Sequence, residues 1–292
     1  MRDDVSLAGA PFLKMNGAGN EILVLDLRGR TGAGSGGGQA RALHAARDAR
    51  GALAFDQLMA IRDPARAGAD AAVTIFNNDG SEAGACGNGM RCVAFALTRA
   101  DGRDRLVVDT RVGSLECRRE GPARFTIDMG APRLGWRDVP LAREVADTRA
   151  APVPGAEAFG PAAFASMGNP HVVFFVADID ALDLGKIGPG IERHPMFPER
   201  ANVTFAEPMT PTRVRVRTFE RGVGETRACG SAACATLVSA SRRGLVGRRA
   251  TISPPGGDLE IEWREGDEHV LMTGPVELEF EGRIQPGWLA PA

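Results

Sequence analysis

The sequence contains only two lysines, Lys14 and Lys186, and no long uninterrupted run of apolar residues. Neither lysine lies in a phosphate-cradling context, which argues against a pyridoxal phosphate enzyme. A helix that spans a bilayer needs about 20 predominantly apolar residues, so the sequence predicts no membrane span. The net charge of −2 provides no positive excess for binding nucleic acid or an acidic membrane surface.

Cysteine is also scarce, with five residues in a chain of 292. An odd count in a chain of this length favours reduced thiols over a disulfide framework. The first ten residues, MRDDVSLAGA, carry acidic side chains where a signal peptide needs basic ones. We therefore expect a cytoplasmic protein, and the length predicts two domains.

A glycine-rich stretch at 29–38 separates a strand-like run, Glu21–Leu27, from the helix-forming sequence QARALHAARDA. Its Gly32, Gly34 and Gly37 match the GxGxxG pattern of dinucleotide-binding proteins. In that motif the first glycine leaves the strand directly, whereas Arg28–Thr31 intervene here. The stretch is therefore interpreted as a solvated loop and not as a nucleotide site.

Short strand-like segments dominate the rest of the chain, and long helices are few, which predicts an α+β fold. Arg213–Phe219 (RVRVRTF) alternates, so one face should be buried while the other presents guanidinium groups. The Pro-, Ala- and Gly-rich segment Ala131–Gly160 is the predicted domain boundary. The other strand-like segments are Ala72–Phe76, Leu106–Asp109, Phe125–Met129, Val172–Val176, Leu259–Trp263, Val270–Met272 and Val276–Phe280.

One cysteine-bearing element occurs twice, as FNNDGSEAGACGNGMRC at 76–92 and FERGVGETRACGSAACA at 219–235. In both copies a Phe precedes a Cys by ten residues, and the two copies are offset by 219 − 76 = 143 residues. Each copy predicts a strand, a glycine-containing loop, and then a helix that begins directly after Cys86 or Cys229. The repeat suggests two similar domains facing each other across a cleft.

A helix N-terminus carries unpaired N–H groups and a partial positive charge, which lowers a thiol pKa and attracts anions. Two such cysteines can serve one amino-acid substrate, with a thiolate removing a proton from one face of a carbon and a thiol returning one to the other. This chemistry is that of a cofactor-independent racemase or epimerase. Glycines directly after both cysteines leave the backbone amides open to a carboxylate.

Three other interpretations of the cysteines have weaker support in the sequence. Cys86 and Cys229 can be ordinary buried residues, although the matched spacing and flanking glycines argue against this. A zinc site using Cys86, Cys92, Cys229 and Cys234 has spacings unlike the usual zinc knuckles. A redox dithiol lacks the CxxC pattern. Cys92, Cys117 and Cys234 are predicted to be small core residues.

At this level of detail the chain resembles the diaminopimelate epimerase family over most of its length. The resemblance runs from KMNGAGNEI near the start to LMTGPVELEF near the end. Its most specific segments are FDQL (55–58), the two cysteine elements, SMGNPHVVF (166–174) and HPMFPERANVTF (194–205). It implies two similar α+β domains, residues 1–130 and 131–275, each a curved, mostly antiparallel sheet around a central helix. The last strand, about 276–292, is expected to return to the first domain.

The resemblance also implies an activity and roles for individual residues. The expected reaction interconverts LL- and meso-diaminopimelate without cofactor or metal, in lysine and peptidoglycan precursor synthesis, in a possible homodimer. Cys86 and Cys229 correspond to the acid/base thiols. Glu220 is expected to accept the α-ammonium and, with His171, to tune the thiol pKa values, and Arg221 to clamp the distal carboxylate. The α-carboxylate cradle corresponds to Gly87, Asn88, Gly230 and Ser231. The other substrate-binding positions are Asn20, Gln57, Asn77, Asn169 and Asn202.

The chain departs from the family pattern at a few positions. Asn16 replaces a His, Glu21-Ile22 replaces Asp-Phe, and Ala52, Ala54 and Ala233 replace glycines. These changes concern loop geometry more than direct substrate contacts. Two alternatives remain: a racemase of another amino acid, such as histidine or proline, on the same fold, and a non-catalytic binding protein or thiol redox sensor.

Overall fold

The structure, a computed structural model, describes residues 7–30, 36–48, 51–84, 86–99 and 101–289. The chain forms two compact units. One comprises Met1–Ile127 with Gly274–Ala292, and the other comprises Asp128–Thr273. None of the helices in the described parts of the chain is long and apolar enough to cross a membrane.

The first unit forms its strands β1 to β10 from the part of the chain before residue 129. Its elements are β1 (Pro11–Gly17), β2 (Asn20–Asp26), α1 (Gly37–Ala45), β3 (Arg47–Asp48), β4 (Gly51–Ala52), β5 (Gln57–Arg62), β6 (Ala71–Asn77), β7 (Glu82–Ala83), α2 (Gly87–Thr98), β8 (Arg105–Thr110), β9 (Gly113–Gly121) and β10 (Arg124–Asp128).

The second unit follows with a similar series, after a long segment of turns. Its elements are β11 (Ala162–Ser166), β12 (Pro170–Phe175), α3 (Leu184–Glu192), β13 (Asn202–Thr210), β14 (Arg213–Glu220), β15 (Gly224–Thr226), α4 (Gly230–Arg242), β16 (Arg249–Ser253), β17 (Leu259–Trp263) and β18 (Val270–Pro275). The chain then continues into β19 (Glu277–Arg283), and 3₁₀ turns lie at Glu157–Phe159 and Pro286–Leu289.

Both units connect their strands in the same way. In the first, β1 and β2 pair antiparallel, β5 lies parallel to β2, and β6 returns antiparallel to β5. Strand β6 also pairs antiparallel with β7 and parallel with β8, after which β8, β9 and β10 form an antiparallel meander. Strands β11 to β18 repeat these pairings in the same order. The predicted pair of similar α+β domains with mostly antiparallel sheets is confirmed.

Helices α2 and α4 are the central helices of the two units. Ten of the twelve residues of α2 and ten of the thirteen residues of α4 are buried. Helix α2 packs against β1, β2, β5 and β9, and α4 packs against β11, β12, β13, β16 and β17. A helix buried on all sides belongs to the middle of a domain. Both helices begin directly after the repeated cysteines, as the sequence predicts.

The last strand, β19, belongs to the first unit. It pairs antiparallel with β1, with Pro11 opposite Arg283 and Lys14 opposite Phe280. Strand β1 therefore lies between β2 and β19.

The alternation in β14 places its residues as predicted. Val214, Val216 and Thr218 are buried, whereas the arginines between them face outward and pair with carboxylates. Arg213 bonds to Asp258, for example.

The glycine-rich stretch ends earlier than predicted. Gly37 and Gly38 are the first two residues of α1, which ends at Ala45, four residues before the predicted end. Gly37 needs to be a glycine because the backbone of Gly80 occupies the place of its missing Cβ. Gly32 and Gly34 of the GxGxxG pattern lie outside the described residues.

Helix α3, with the sequence LGKIGPGIE, is not predicted by its composition. Three glycines and Pro189 disfavour a helix. Tertiary packing overrides this preference, since Leu184, Gly188 and Ile191 are buried on one face. A Cβ on Gly188 would lie 2.5 Å from ring atoms of Phe219, the repeated Phe of the second cysteine element.

Replacing Gly188 with alanine is therefore expected to lower the free energy of unfolding by about 1–3 kcal/mol, because the Phe219 ring has to move. Gly190→Ala is the matched control in the same helix, since nothing lies within 4 Å of the added Cβ. It should leave stability unchanged or raise it by up to about 1 kcal/mol. Urea unfolding of both variants is the measurement, and equal stabilities would contradict the packing argument.

Candidate active site

Cys86 is the N-cap residue of α2. Its backbone is extended, with φ −150° and ψ 97°, and its Sγ accepts a hydrogen bond from the N–H of Gly89 at 3.1 Å. A Cβ on Gly89 would lie 2.5 Å from Sδ of Met59 and 3.2 Å from this Sγ, so a glycine is needed beside the thiol. Cys86 itself is half-buried.

Side-chain amides cluster around the start of α2. Asn88 is buried, donates through Nδ2 to Oδ1 of Asn20 at 2.6 Å, and accepts at Oδ1 from Arg91 at 2.9 Å. Gln57 and Asn77 lie opposite each other on β5 and β6 and are joined by a 3.1 Å hydrogen bond. These contacts fix the orientation of the side-chain amides.

Two of the departures from the family pattern contact each other. Nδ2 of Asn16 donates to Oε1 of Glu21 at 3.2 Å, and the other oxygen of Glu21 pairs with the buried Lys14. Oδ1 of Asn16 accepts from the N–H of Gly19 at 2.8 Å. The two replacements therefore support the turn before Asn20. The side chain of Ala52 lies outside the described residues.

Cys229 is the N-cap residue of α4, again with extended backbone at φ −130° and ψ 109°. Its Sγ lies 3.5 Å from Oγ of Ser231. Burial raises the pKa of the Cys229 thiol well above its ordinary value, and the carboxylate of Glu220 raises it further. The Ser231 hydroxyl and the Ala232 N–H oppose the rise only in part.

The helix start does lower the pKa of Cys229, through the Ala232 N–H, but burial and the Glu220 carboxylate outweigh this effect. Desolvation disfavours the thiolate, and a neighbouring negative charge adds to this effect. At neutral pH the Cys229 side chain is a thiol.

His171 and Asn169 support the Cys229 side of the second unit. Nδ2 of Asn169 donates to Oγ of Ser231 at 3.2 Å, which leaves its Oδ1 to accept from Nε2 of His171 at 2.9 Å. His171 is fully buried, and its Nδ1 has no partner among the described residues. Burial, with a smaller effect of the Arg221 charge, lowers the pKa of His171 to about 3. His171 is thus a neutral residue that orients Asn169.

This burial predicts a pH-dependent stability. Between about pH 5 and 6.5 the unfolded state binds a proton on His171 that the folded state excludes, so the free energy of unfolding should fall as the pH is lowered. The slope from this residue is about 0.7 kcal/mol per pH unit at about pH 6.5, where half of the unfolded chains carry the proton, and approaches about 1.4 kcal/mol per pH unit at about pH 5. His171→Gln should remove that contribution, as measured by urea unfolding at several pH values. Parallel curves for the two proteins would contradict the assignment.

Asn202, Glu220 and Arg221 form a third group, also in the second unit. Asn202 is buried, donates to the carbonyl of Pro170 at 3.1 Å, and accepts from the N–H of Arg221 at 3.0 Å. Glu220 accepts from the hydroxyl of Thr226 at 2.5 Å. The Arg221 side chain donates to the carbonyl of Glu199 at 3.1 Å and belongs to an exposed residue, so it can reach a ligand.

The two units place equivalent residues in equivalent contacts. The offset of 143 takes Asn88 to Ser231, and each bonds to an asparagine at the beginning of the second strand of its unit: Asn20, the first residue of β2, or Asn169, directly before β12. The same offset takes Asn77 to Glu220. The repeat in sequence is therefore also a repeat of site architecture.

The predicted site residues fall into two clusters, one in each unit. The first unit brings together Asn20, Gln57, Asn77, Cys86, Gly87 and Asn88. The second brings together Asn169, His171, Asn202, Glu220, Arg221, Cys229, Gly230 and Ser231.

Two acidic residues at these clusters were not singled out from the sequence. Asp56 accepts from the side chain of Asn20 at 3.1 Å and from the N–H of Glu21 at 2.9 Å. Glu192 accepts from the N–H of Gly222 at 2.8 Å. Asp56 lies within the FDQL segment, one of the most specific segments of the family resemblance. Nothing in the LGKIGPGIE sequence indicates a role for Glu192.

The remaining cysteines are core residues, as predicted. Cys92, Cys117 and Cys234 are at most 1% exposed, and burial raises the pKa of Cys92 and of Cys117 to about 12. In the described ranges no group of three or more His, Cys, Asp or Glu side chains is placed to hold a metal ion.

Comparisons with known proteins agree with this architecture. A sequence model of the diaminopimelate epimerase family matches residues 12–135 and 163–279. A diaminopimelate epimerase of Methylocella silvestris is 52% identical, with 98% of each chain covered. One from Rhodopseudomonas palustris is 50% identical, again with 98% of each chain covered.

Solved structures show the same fold at much lower identity. A predicted epimerase from Pseudomonas aeruginosa has a TM-score of 0.67 at 16% identity, covering 94% of this chain and 99% of that one. A hydroxyproline epimerase from Agrobacterium vitis has a TM-score of 0.63 at 16% identity, covering 94% and 90%. With the sequence matches over nearly its whole length, the chain belongs to the diaminopimelate epimerase family of isomerases.

Proposed function

We propose that this chain interconverts LL- and meso-diaminopimelate, with Cys86 and Cys229 acting on opposite faces of one α-carbon. One sulfur takes the α-proton as a thiolate while the other, as a thiol, delivers a proton to the opposite face. The two thiols exchange roles when the reaction runs in reverse. The configuration of the carbon is inverted, and no proton is gained or lost overall.

The observation that carries the proposal is the matched position of the two cysteines. Both are the N-cap residues of the central helices of equivalent units, and the chain is about half identical to diaminopimelate epimerases over nearly its full length. An ordinary core cysteine needs no such position, and the three cysteines that are core residues lie elsewhere in the elements.

The helix starts supply a way to stabilise the reaction intermediate. Removing the α-proton moves negative charge onto the α-carboxylate. The N–H groups of Gly87, Asn88, Gly230 and Ser231 are at the first turns of α2 and α4, where backbone donors lack helical partners. Donors fixed in advance at the site of developing charge lower the barrier more than mobile water does.

The raised pKa of Cys229 supports one assignment of the two thiol roles in the resting enzyme. At neutral pH Cys229 starts as the thiol, so in one direction it is the proton donor and Cys86 is the base. The nearby Glu220 carboxylate opposes formation of a second negative charge on the Cys229 sulfur. We assign the same carboxylate to the substrate's α-ammonium group.

Recognition of the distal end distinguishes this substrate from shorter amino acids. We assign the distal carboxylate to Arg221, supported by Asn77 and Asn202. A racemase acting on proline or histidine has no distal amino-acid group to bind, and the hydroxyproline epimerase neighbour shares only the fold. A racemase of another amino acid is therefore the rival outcome of the experiment below.

Loss of α-protons in deuterated water tests the proposal. The protein is incubated with LL-diaminopimelate, meso-diaminopimelate, proline and histidine, and the α-proton signals are followed by NMR. We expect exchange only with the two diaminopimelates. Exchange with proline or histidine, and none with diaminopimelate, would replace the proposed substrate.

The cellular setting completes the proposal. We assign the chain to the cytoplasm, to lysine and peptidoglycan precursor synthesis, and to a homodimer. The odd count of five cysteines in a chain of this length supports a reducing compartment, and the family resemblance supports the homodimer. The proposed reaction uses only side chains and backbone groups of this chain.

A further inference from the structure

Glu192 is a buried carboxylate at the last residue of α3. It is 1% exposed, and a carboxylate removed from water is unfavourable unless it is paired or hydrogen-bonded. Its Oε1 accepts a 2.8 Å hydrogen bond from the backbone N–H of Gly222. This hydrogen bond links the buried carboxylate to the turn that contains Gly222.

Two arginines also approach this carboxylate, at longer range. Nε of Arg193 lies 3.4 Å from Oε2, and Nη1 of Arg200 lies 3.8 Å from Oε1. Their side chains are 67% and 53% exposed, and pairs with an exposed partner are screened by water. The hydrogen bond from the Gly222 N–H to the buried Oε1, at 2.8 Å, is thus shorter and less screened than either ion pair.

The contacts of Glu192 reach two turns with unusual backbone conformations. Gly222 has φ +75°, and Arg200 has φ +59°, which is uncommon for a residue with a side chain. The N–H of Ala201 also bonds to the carbonyl of Glu192 at 3.3 Å. Left-handed residues persist where the surroundings hold them in place.

These two turns carry the groups assigned to the distal end of the substrate. Arg221 directly precedes Gly222, and Asn202 follows Arg200 by two residues. The turns are also tied to each other, since Asn202 accepts from the N–H of Arg221 and the Arg221 side chain donates to the carbonyl of Glu199. Glu192 is the buried residue that touches both.

We propose that Glu192 is a positioning residue that sets the backbone of the Arg221–Gly222 turn and so aims the Arg221 guanidinium at the distal carboxylate of the substrate. The inference rests on the proposed function for the identity of that substrate. Glu192 itself does not touch the reacting atoms, and its effect passes through the Gly222 N–H.

Kinetics of two substitutions test this role. Glu192→Ala removes the acceptor and is expected to raise KM for diaminopimelate about tenfold, the size of one lost hydrogen bond to a charged acceptor, with a smaller change in kcat. Glu192→Gln keeps an oxygen at the same reach and should restore KM to within about threefold of the original value. Lys186→Gln, on the exposed face of α3, is the matched control and should change neither constant.

A second measurement does not depend on the substrate. Amide exchange of the Glu220–Gly224 turn, followed by mass spectrometry, should be faster in Glu192→Ala and close to the original rate in Glu192→Gln. If Glu192→Ala cannot be isolated folded, Glu192→Asp takes its place, because its shortened side chain keeps the charge but cannot reach the Gly222 N–H. It is expected to behave like the alanine variant.

The outcomes separate the two proposals. An unchanged KM and unchanged exchange in the alanine or aspartate variant would overturn the role of Glu192, even if the melting temperature fell. A chain that leaves diaminopimelate unchanged would overturn the proposed function, and the amide exchange would then still decide whether Glu192 holds the turn.

Discussion

Replacing Cys86 with alanine is expected to lower epimerisation by at least about 10²–10⁴-fold, the usual contribution of one acid/base group. Cys229→Ala should have an effect of the same size, since the reaction needs a base on one face and an acid on the other. The double variant should be little worse than either single one, because residues that act as a unit are not additive. Interconversion of LL- and meso-diaminopimelate, assayed directly, is the measurement.

Cys117→Ala is the control for these two variants. Cys117 is a buried residue of β9, so its removal tests what loss of a core thiol does by itself. It should retain activity. Near-normal epimerisation by the Cys86→Ala protein would show that Cys86 is not one of the two bases.

Replacing Arg221 with alanine is expected to lower kcat/KM for diaminopimelate by about 10²–10³-fold, because truncating one partner of a bound charge pair costs about 2–5 kcal/mol. Most of the effect should appear in KM, since the distal carboxylate is bound equally in the ground and transition states. Arg221→Lys should recover only part of the loss, since an ammonium group cannot make the two parallel hydrogen bonds of a guanidinium.

Arg213→Gln serves as the control from the other end of the same strand. Arg213 pairs with Asp258 at the surface, and its loss should leave both kinetic constants unchanged. The measurement is steady-state kinetics of the Arg221 and Arg213 variants at matched pH and salt. An Arg221→Ala protein with unaltered KM would mean that another group binds the distal carboxylate.

The repeated cysteine element made much of the fold accessible from the sequence. A strand followed by a glycine loop and a helix is a local pattern, and both copies fold as predicted, with α2 starting after Cys86 and α4 after Cys229. The alternation of Arg213–Phe219 likewise needs no tertiary information, since a period of two already defines the buried face.

The parts that were missed depend on partners distant in sequence. Helix α3 forms although Gly188 and Pro189 disfavour it, because Gly188 allows close contact with Phe219. The bond from Gly222 to Glu192 joins residues 30 positions apart. Contacts between residues so far apart in sequence follow no fixed spacing, so local sequence patterns do not predict them.

The net pKa shift of Cys229 could not be predicted from the sequence for a similar reason. The helix start is visible in the sequence and favours a thiolate, but burial and the approach of Glu220 are set by the folded chain. A sequence shows which groups are adjacent along the backbone, whereas desolvation depends on everything that surrounds the sulfur.

The duplicated architecture has an unequal distribution of charge. Asn77 and Asn78 in the first unit stand where Glu220 and Arg221 stand in the second, by the common offset of 143 residues. Two identical halves would accept a zwitterion in either direction with equal ease. Under the proposed function, an amide pair in one unit and an oppositely charged pair in the other give a zwitterionic substrate two unlike sets of contacts, so it binds in a single orientation.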